Sequence, residues 1–441
     1  MTVRRYLTNS CLALLYAAMY LGCYVGFLNY YFEYVGFDLY PRDGIFIALS
    51  VIVSVLPILL YRGVRAVSSV ISVLIYFIVY VPIILTFALG SGRSLPEIVA
   101  VQLTFMAGMS LLFVADVIIV KNPLRLDTRV NLMPAVLVVT VAATLYVLVV
   151  YRGNLNFASF GEDLYVQRFA NLDVGSGLVT RYLSAWLSTV LVPLCFAYGL
   201  TTKQYRYLGA AVTACVIVYM AAANKIMILL PFVYLTFYGV LRNTLPAIYP
   251  RLSGALSLGI AVLVAIGSLG GVPFVISALV LFRTIGNGGQ LTMAYYDFFS
   301  FYPHTNYSHV NGLNLFTPPY PYGDLAVGQV VGQFYWSPFM NANAHFWATD
   351  GIAAMGLPGV AIASAGCALL FMLINSVTRA YNTLFVVLCF IPFMITLLNQ
   401  SLFSSLWSGG AFFLLLFFLF NKRSATLMRP TTVSTLQVAG A

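Results

Sequence analysis

The chain has 441 residues, of which 61% are hydrophobic and 8% charged, with a mean hydropathy of +0.94. Soluble domains carry about 25% charged residues and just under half apolar ones, so a soluble globular protein is excluded and a polytopic membrane protein indicated. The net charge of +10 comes from 22 dispersed Lys and Arg, which excludes a nucleic-acid binder, whose basic residues would gather on one soluble face.

A membrane helix needs roughly 20 apolar residues. About twelve stretches qualify, at 9–28, 44–61, 67–89, 97–120, 130–151, 182–201, 207–223, 226–241, 253–282, 352–376, 383–400 and 407–421. The expected fold is therefore all-α, a single integral membrane domain over 1–441. The first span is long and lacks a small-residue cleavage site, so it reads as a membrane helix and not as a cleaved signal. With both termini cytoplasmic, 15 of the 22 basic residues fall on the cytoplasmic side and ten of the 12 acidic ones outside. That asymmetry sets the expected orientation. Asp116, about one turn before Lys121, is expected to snorkel to the cytoplasmic interface. The six cysteines lie in apolar runs without disulfide or metal spacing. Three histidines with no carboxylate–histidine cluster offer no recognisable metal site, and no cofactor is expected.

Two connections are long, at 152–181 and 283–350, and both fall on the expected outer face. Long loops in a compact protein are functional or disordered, and the aromatic content of the second argues for function. In the first, Phe160–Ala170 reads as a short amphipathic helix carrying Arg168, either paired with Glu162 or Asp163 or presented to an anion. Arginine offers a planar fork of donors suited to phosphate oxygens. In the second, Arg283 ends an apolar run at the expected interface, where it could anchor the helix or meet a lipid-linked pyrophosphate. Gly286, Gly288 and Gly289 follow in a run expected to form a tight backbone exposing amides to an anion.

Next come Tyr295, Tyr296 and Asp297, then His304 and His309 among hydroxyls and aromatics. Rings with interspersed Asn and Tyr donors are what a sugar-binding cleft uses, and histidine accepts a proton near pH 7. The bland reading is that the histidines bond within a folded loop. Asn341, Asn343 and His345 precede Gly356-Leu-Pro-Gly359 where the chain re-enters the bilayer. The asparagines there read equally as helix caps or ligand contacts.

The topology, the arginine-bearing outer loops, Arg283 with the run Tyr295–Phe299, and Asn341-Ala-Asn343 before Gly356–Gly359 resemble the O-antigen polymerases, the Wzy-type oligosaccharide repeat-unit polymerases. The resemblance covers most of the chain in topology, and its motifs lie in 150–181 and 280–360. Some members space an arginine about eleven residues from a glycine, whereas here Arg168 precedes Gly175 and Gly177 and Arg283 precedes Gly286–Gly289. Which arginine plays which role is left open by that departure.

The resemblance implies a GT-C-type, metal-independent, inverting glycosyltransferase in the inner membrane with a periplasmic site. Its substrates would be undecaprenyl-pyrophosphate-linked oligosaccharides, and a chain-length regulator would be a partner. Arg168 and Arg283 would hold pyrophosphate, and Tyr295, Tyr296, Asn341, Asn343 and His345 the sugars. The reaction needs a general base, and the outer-face candidates are His304, His309, His345, Asp297, Asp324 and Asp350. The expected order is His309, then His304, then Asp297, since an imidazole needs no large pKa shift to accept a proton. An O-antigen ligase would share the donor. A flippase would be expected to have intramembrane charge and short outer loops instead.

Overall fold

A computed structural model describes residues 3–118, 130–157, 167, 171, 177–422 and 427, so Arg168, Glu162 and Asp163 lie outside the described residues. The described chain is built of helices, without strands. Nine helical stretches are long and apolar enough to cross a membrane. They are α1 (Tyr6–Val35), α3 (Val67–Gly90), α4 (Leu95–Val117), α5 (Met133–Val150), α6 (Leu178–Thr202), α7 (Tyr205–Ala222), α8 (Lys225–Gly267), α9 (Gly271–Phe301) and α11 (Trp347–Thr378). Two expected spans are shorter apolar helices, α2 (Gly44–Leu60) and α15 (Ala411–Phe420). A short helix, α10 (Val327–Tyr335), lies between α9 and α11. The expected span 383–400 is broken into α12 (Thr383–Cys389) and α13 (Ile391–Leu397), with α14 (Leu402–Trp407) after it.

The chain packs as two compact units: one holds 1–120, 244–375 and 393–407, the other 121–243, 376–392 and 408–441. In the first, buried tyrosines tie helices together through their hydroxyls. Tyr16 donates to Phe77 O (2.7 Å), Tyr76 to Ser54 O (2.9 Å) and Tyr249 to Asn9 O (3.0 Å). A tyrosine ring fills apolar space while its hydroxyl satisfies a carbonyl that no water can reach. The second unit uses the same device: Tyr234 donates to Leu388 O (3.0 Å) and Tyr381 to Asn421 O (2.8 Å).

Three expectations are corrected. The boundary expected at 282 lies elsewhere. The chain turns at Gly270 and Gly271, whose φ of +74° and +56° favour glycine, and α9 then runs on to Phe301. Apolar Leu269 and Val272 on either side hide that turn from a hydropathy window.

The Gly286–Gly289 run is helical and not an open anion-binding turn. Its glycines allow α9 to touch α3: a Cβ at Gly288 would lie 3.0 Å from Ile78 O, and one at Gly289 would lie 2.6 Å from Pro82 O and press on Thr86. Gly289→Val is therefore expected to cost about 3 kcal/mol through overpacking against backbone that cannot yield. A thermal-unfolding comparison in detergent checks this, and unchanged stability would show that the two helices can separate.

Asp116 does not snorkel. It is 5% exposed and accepts the Ser68 hydroxyl, at the first turn of α3, where unpaired N–H groups favour negative charge. Asn375 Nδ2 donates to the same Ser68 oxygen at 2.7 Å.

Candidate active site

Arg283 stands inside the apolar helix α9, on a stretch with π-helical bonding from Ala278 to Gly286. Such bulges widen a helix locally and concentrate at functional sites. The side chain is exposed and makes no hydrogen bond or ion pair with a described residue. A charged group within a membrane span is costly unless it faces protein or water, and it marks a functional site by default. Here it lines a cavity of about 290 Å³. Asn287, Asn343 and Asn399 are among its polar lining side chains, the His345 ring also lines it, and Ile78, Val79, Leu291, Ile395 and Leu398 form an apolar wall.

A second, more polar cavity of about 450 Å³ meets the first at Asn343 and Ala344, which line both. Its wall includes Ser308, His309, Asn311, Tyr320, Asp324 and Gln329, with Gln400 and Ser401 from the break before α14. Both volumes are near or within the roughly 300–1,000 Å³ of small-molecule sites.

The 302–346 connection is pinned where α11 breaks. Met355 and Gly356 leave helical geometry, Gly356 at φ +66°, with Pro358 just after. The loop occupies carbonyls of that turn: Thr305 N–H donates to Ala353 O (2.8 Å) and Asn306 N–H to Ala354 O (3.0 Å). Asn306 and Tyr307 are held at φ +48° and +63°, a conformation costly for non-glycine residues that clusters at functional sites.

This turn delivers His309. Its Nδ1 lies 2.7 Å from Thr305 Oγ1, and its enclosed Nε2 faces Asp350 Oδ1 at 3.5 Å. Tyr307 stacks beside the ring. Asp350, 2% exposed, accepts from Ser401 Oγ (2.6 Å) and Leu402 N–H (2.5 Å). One carboxylate thus holds the start of α14 and faces His309. Both ring nitrogens point into protein.

His345 is 1% exposed. The Thr292 hydroxyl donates to Gly288 O at 2.6 Å, so it accepts from His345 Nε2–H at 2.7 Å; Gly288 O, an acceptor only, lies 3.4 Å from the same nitrogen. That fixes the tautomer and leaves Nδ1 buried without a partner. Burial pushes the imidazole down to about 4. The unfolded chain then binds a proton below about pH 6.5 that the folded protein refuses until about pH 4. Stability is therefore fully present above pH 6.5 and falls by up to about 1.4 kcal/mol per pH unit on acidification through that window. Thermal unfolding at pH 7 and pH 5 is expected to show the loss, and His345→Gln to reduce it. Equal slopes in the two proteins would contradict the buried neutral ring.

The remaining expected residues are dispersed. Asp297 pairs with Arg93 (2.8 Å), whose guanidinium also lies over the rings of Tyr296 and Phe301. Tyr295 is fully buried and donates to Ala342 O (2.9 Å). His304, held below the usual imidazole value by burial, lines a separate cavity with Tyr296, Phe299, Met355 and Pro358. Asn341 packs with Asn343 against Gly328. Neither asparagine caps the helix that follows; His345 O accepts from the Ala348 and Thr349 N–H groups there.

Comparison with known proteins finds no match. No family model, no curated protein and no solved structure matches the chain. The site therefore rests on its own geometry. Asn287, Asn399, Gln400 and Ser401 escaped the sequence reading; the signal was the polar triplet 399–401 ending an apolar run.

Proposed function

We propose that the chain is a glycosyltransferase that polymerises undecaprenyl-pyrophosphate-linked oligosaccharide repeat units into a surface polysaccharide. The observation that carries this reading is Arg283, which stands on the apolar helix α9 without a partner among the described residues and lines a cavity with one apolar wall. A prenyl diphosphate has the matching chemistry. Its tail suits Ile78, Val79, Leu291, Ile395 and Leu398, and its diphosphate suits a guanidinium backed by asparagine amides. The polar cavity beyond Asn343 suits the sugars.

In this reading the protein lies in the inner membrane with a GT-C-type arrangement, both termini cytoplasmic and the cavities open to the periplasm. A growing chain leaves its lipid diphosphate and joins the non-reducing end of a new repeat unit, and a chain-length regulator would act from outside the chain. Arginine stabilises the departing diphosphate electrostatically. Arg168 is proposed as a second diphosphate ligand on the resemblance alone.

Deleting the gene in its host tests the reading through the polysaccharide ladder. Loss of a polymerase leaves single repeats on the lipid A core, the expected result. Absence of any repeat on that core would favour a ligase that shares the donor. An unchanged ladder would contradict the proposal.

A further inference from the structure

We infer that Asp324 takes the proton of the acceptor hydroxyl and that the polar cavity it lines is the acceptor-sugar subsite. The inference rests on the proposed reading and assigns the proton-transfer step within it. With the leaving diphosphate held at Arg283, the base must lie on the acceptor side, across the wall formed by Asn343 and Ala344. Three titratable groups face that cavity among its described lining residues: His309, Tyr320 and Asp324. His309 has one nitrogen on Thr305 and the other enclosed against Asp350. Tyr320 donates its hydroxyl to Leu325 O at 2.9 Å, and burial pushes that phenol up to about 12. Asp324 is exposed to the cavity and has no hydrogen-bond or ion-pair partner among the described residues. Outside the cavity wall, Asp297 is committed to Arg93 and Asp350 to α14.

The step balances. The acceptor oxygen attacks the anomeric carbon of the donor sugar, forming the new C–O bond with inversion. The bond from that carbon to the diphosphate oxygen breaks, and its electron pair leaves with the diphosphate at Arg283. The hydroxyl proton passes to the Asp324 carboxylate, which returns it to water in the open cavity.

The test uses purified full-length protein in lipid vesicles with a lipid-linked oligosaccharide, alongside binding of undecaprenyl diphosphate alone. Asp324→Asn is expected to lower kcat by about 100-fold or more and to leave diphosphate affinity unchanged, with Asp324→Glu recovering part of the rate. The retained affinity shows that the variant is folded. Wild-type kcat in Asp324→Asn would return the base to His309 and overturn the inference; so would a loss of diphosphate affinity, which would make Asp324 part of the donor site or the scaffold. Unchanged diphosphate affinity in Arg283→Ala would instead overturn the parent reading, and this one with it.

Discussion

Arg283→Ala is expected to lower turnover by two to three orders of magnitude. Removing one group that stabilises developing charge in a water-poor site costs about 3–4 kcal/mol. Nothing described stands in for it, because no second cation lines the 290 Å³ cavity. Arg283→Lys should recover little, since a single ammonium cannot reproduce two parallel N–H donors and holds its water more tightly. Folding should be spared in both, as the guanidinium carries no bond to a described residue whose loss would leave a buried partner stranded. Assay of turnover beside thermal unfolding separates the two effects. Full activity in Arg283→Ala would remove the residue from the site.

Asp350→Ala is expected to act on the scaffold. The side chain holds Ser401 Oγ and the Leu402 N–H, and faces His309 Nε2. Its loss strands a buried amide and a hydroxyl at the start of α14 and leaves His309 without its neighbour. Truncating one member of such a buried network costs about 3–5 kcal/mol. Unfolding temperature should drop sharply, and the 393–407 segment should become sensitive to protease. Asp350→Asn, which keeps an acceptor oxygen for Leu402, should lose less. Equal stability of Asp350→Ala and the parent protein would show that another group holds α14.

The helices themselves were legible, because apolar runs near 20 residues have few alternatives once the backbone must satisfy itself. The errors have physical causes. An arginine followed by three glycines in four positions reads as the end of a span, yet glycine is also what allows α9 to approach α3 at Gly288 and Gly289. Arg283 therefore reads as the end of a span, whereas the helix continues through it to Phe301. The importance of residues 399–401 depends on Asp350, about fifty positions earlier in the chain, and no local pattern announces such a bond. Asp297 reads from sequence as a candidate base, and its ion pair with Arg93, 204 residues away, has no local signature. For His309 the hydroxyl and aromatic neighbours were visible in sequence. The direction of its nitrogens was set by the strained turn at Asn306 and Tyr307 and by the break in α11, which only the folded chain reveals.

The central claim, that Arg283 and its cavity receive a prenyl diphosphate on which glycosyl transfer occurs, is tested most directly by one reconstitution. Purified protein in vesicles is given lipid-linked repeat units without added metal, and lipid-linked products and released undecaprenyl diphosphate are measured together. The account predicts longer lipid-linked chains, with one diphosphate released per linkage formed, and loss of both in Arg283→Ala. Movement of the intact lipid-linked unit between leaflets with no diphosphate released would contradict it.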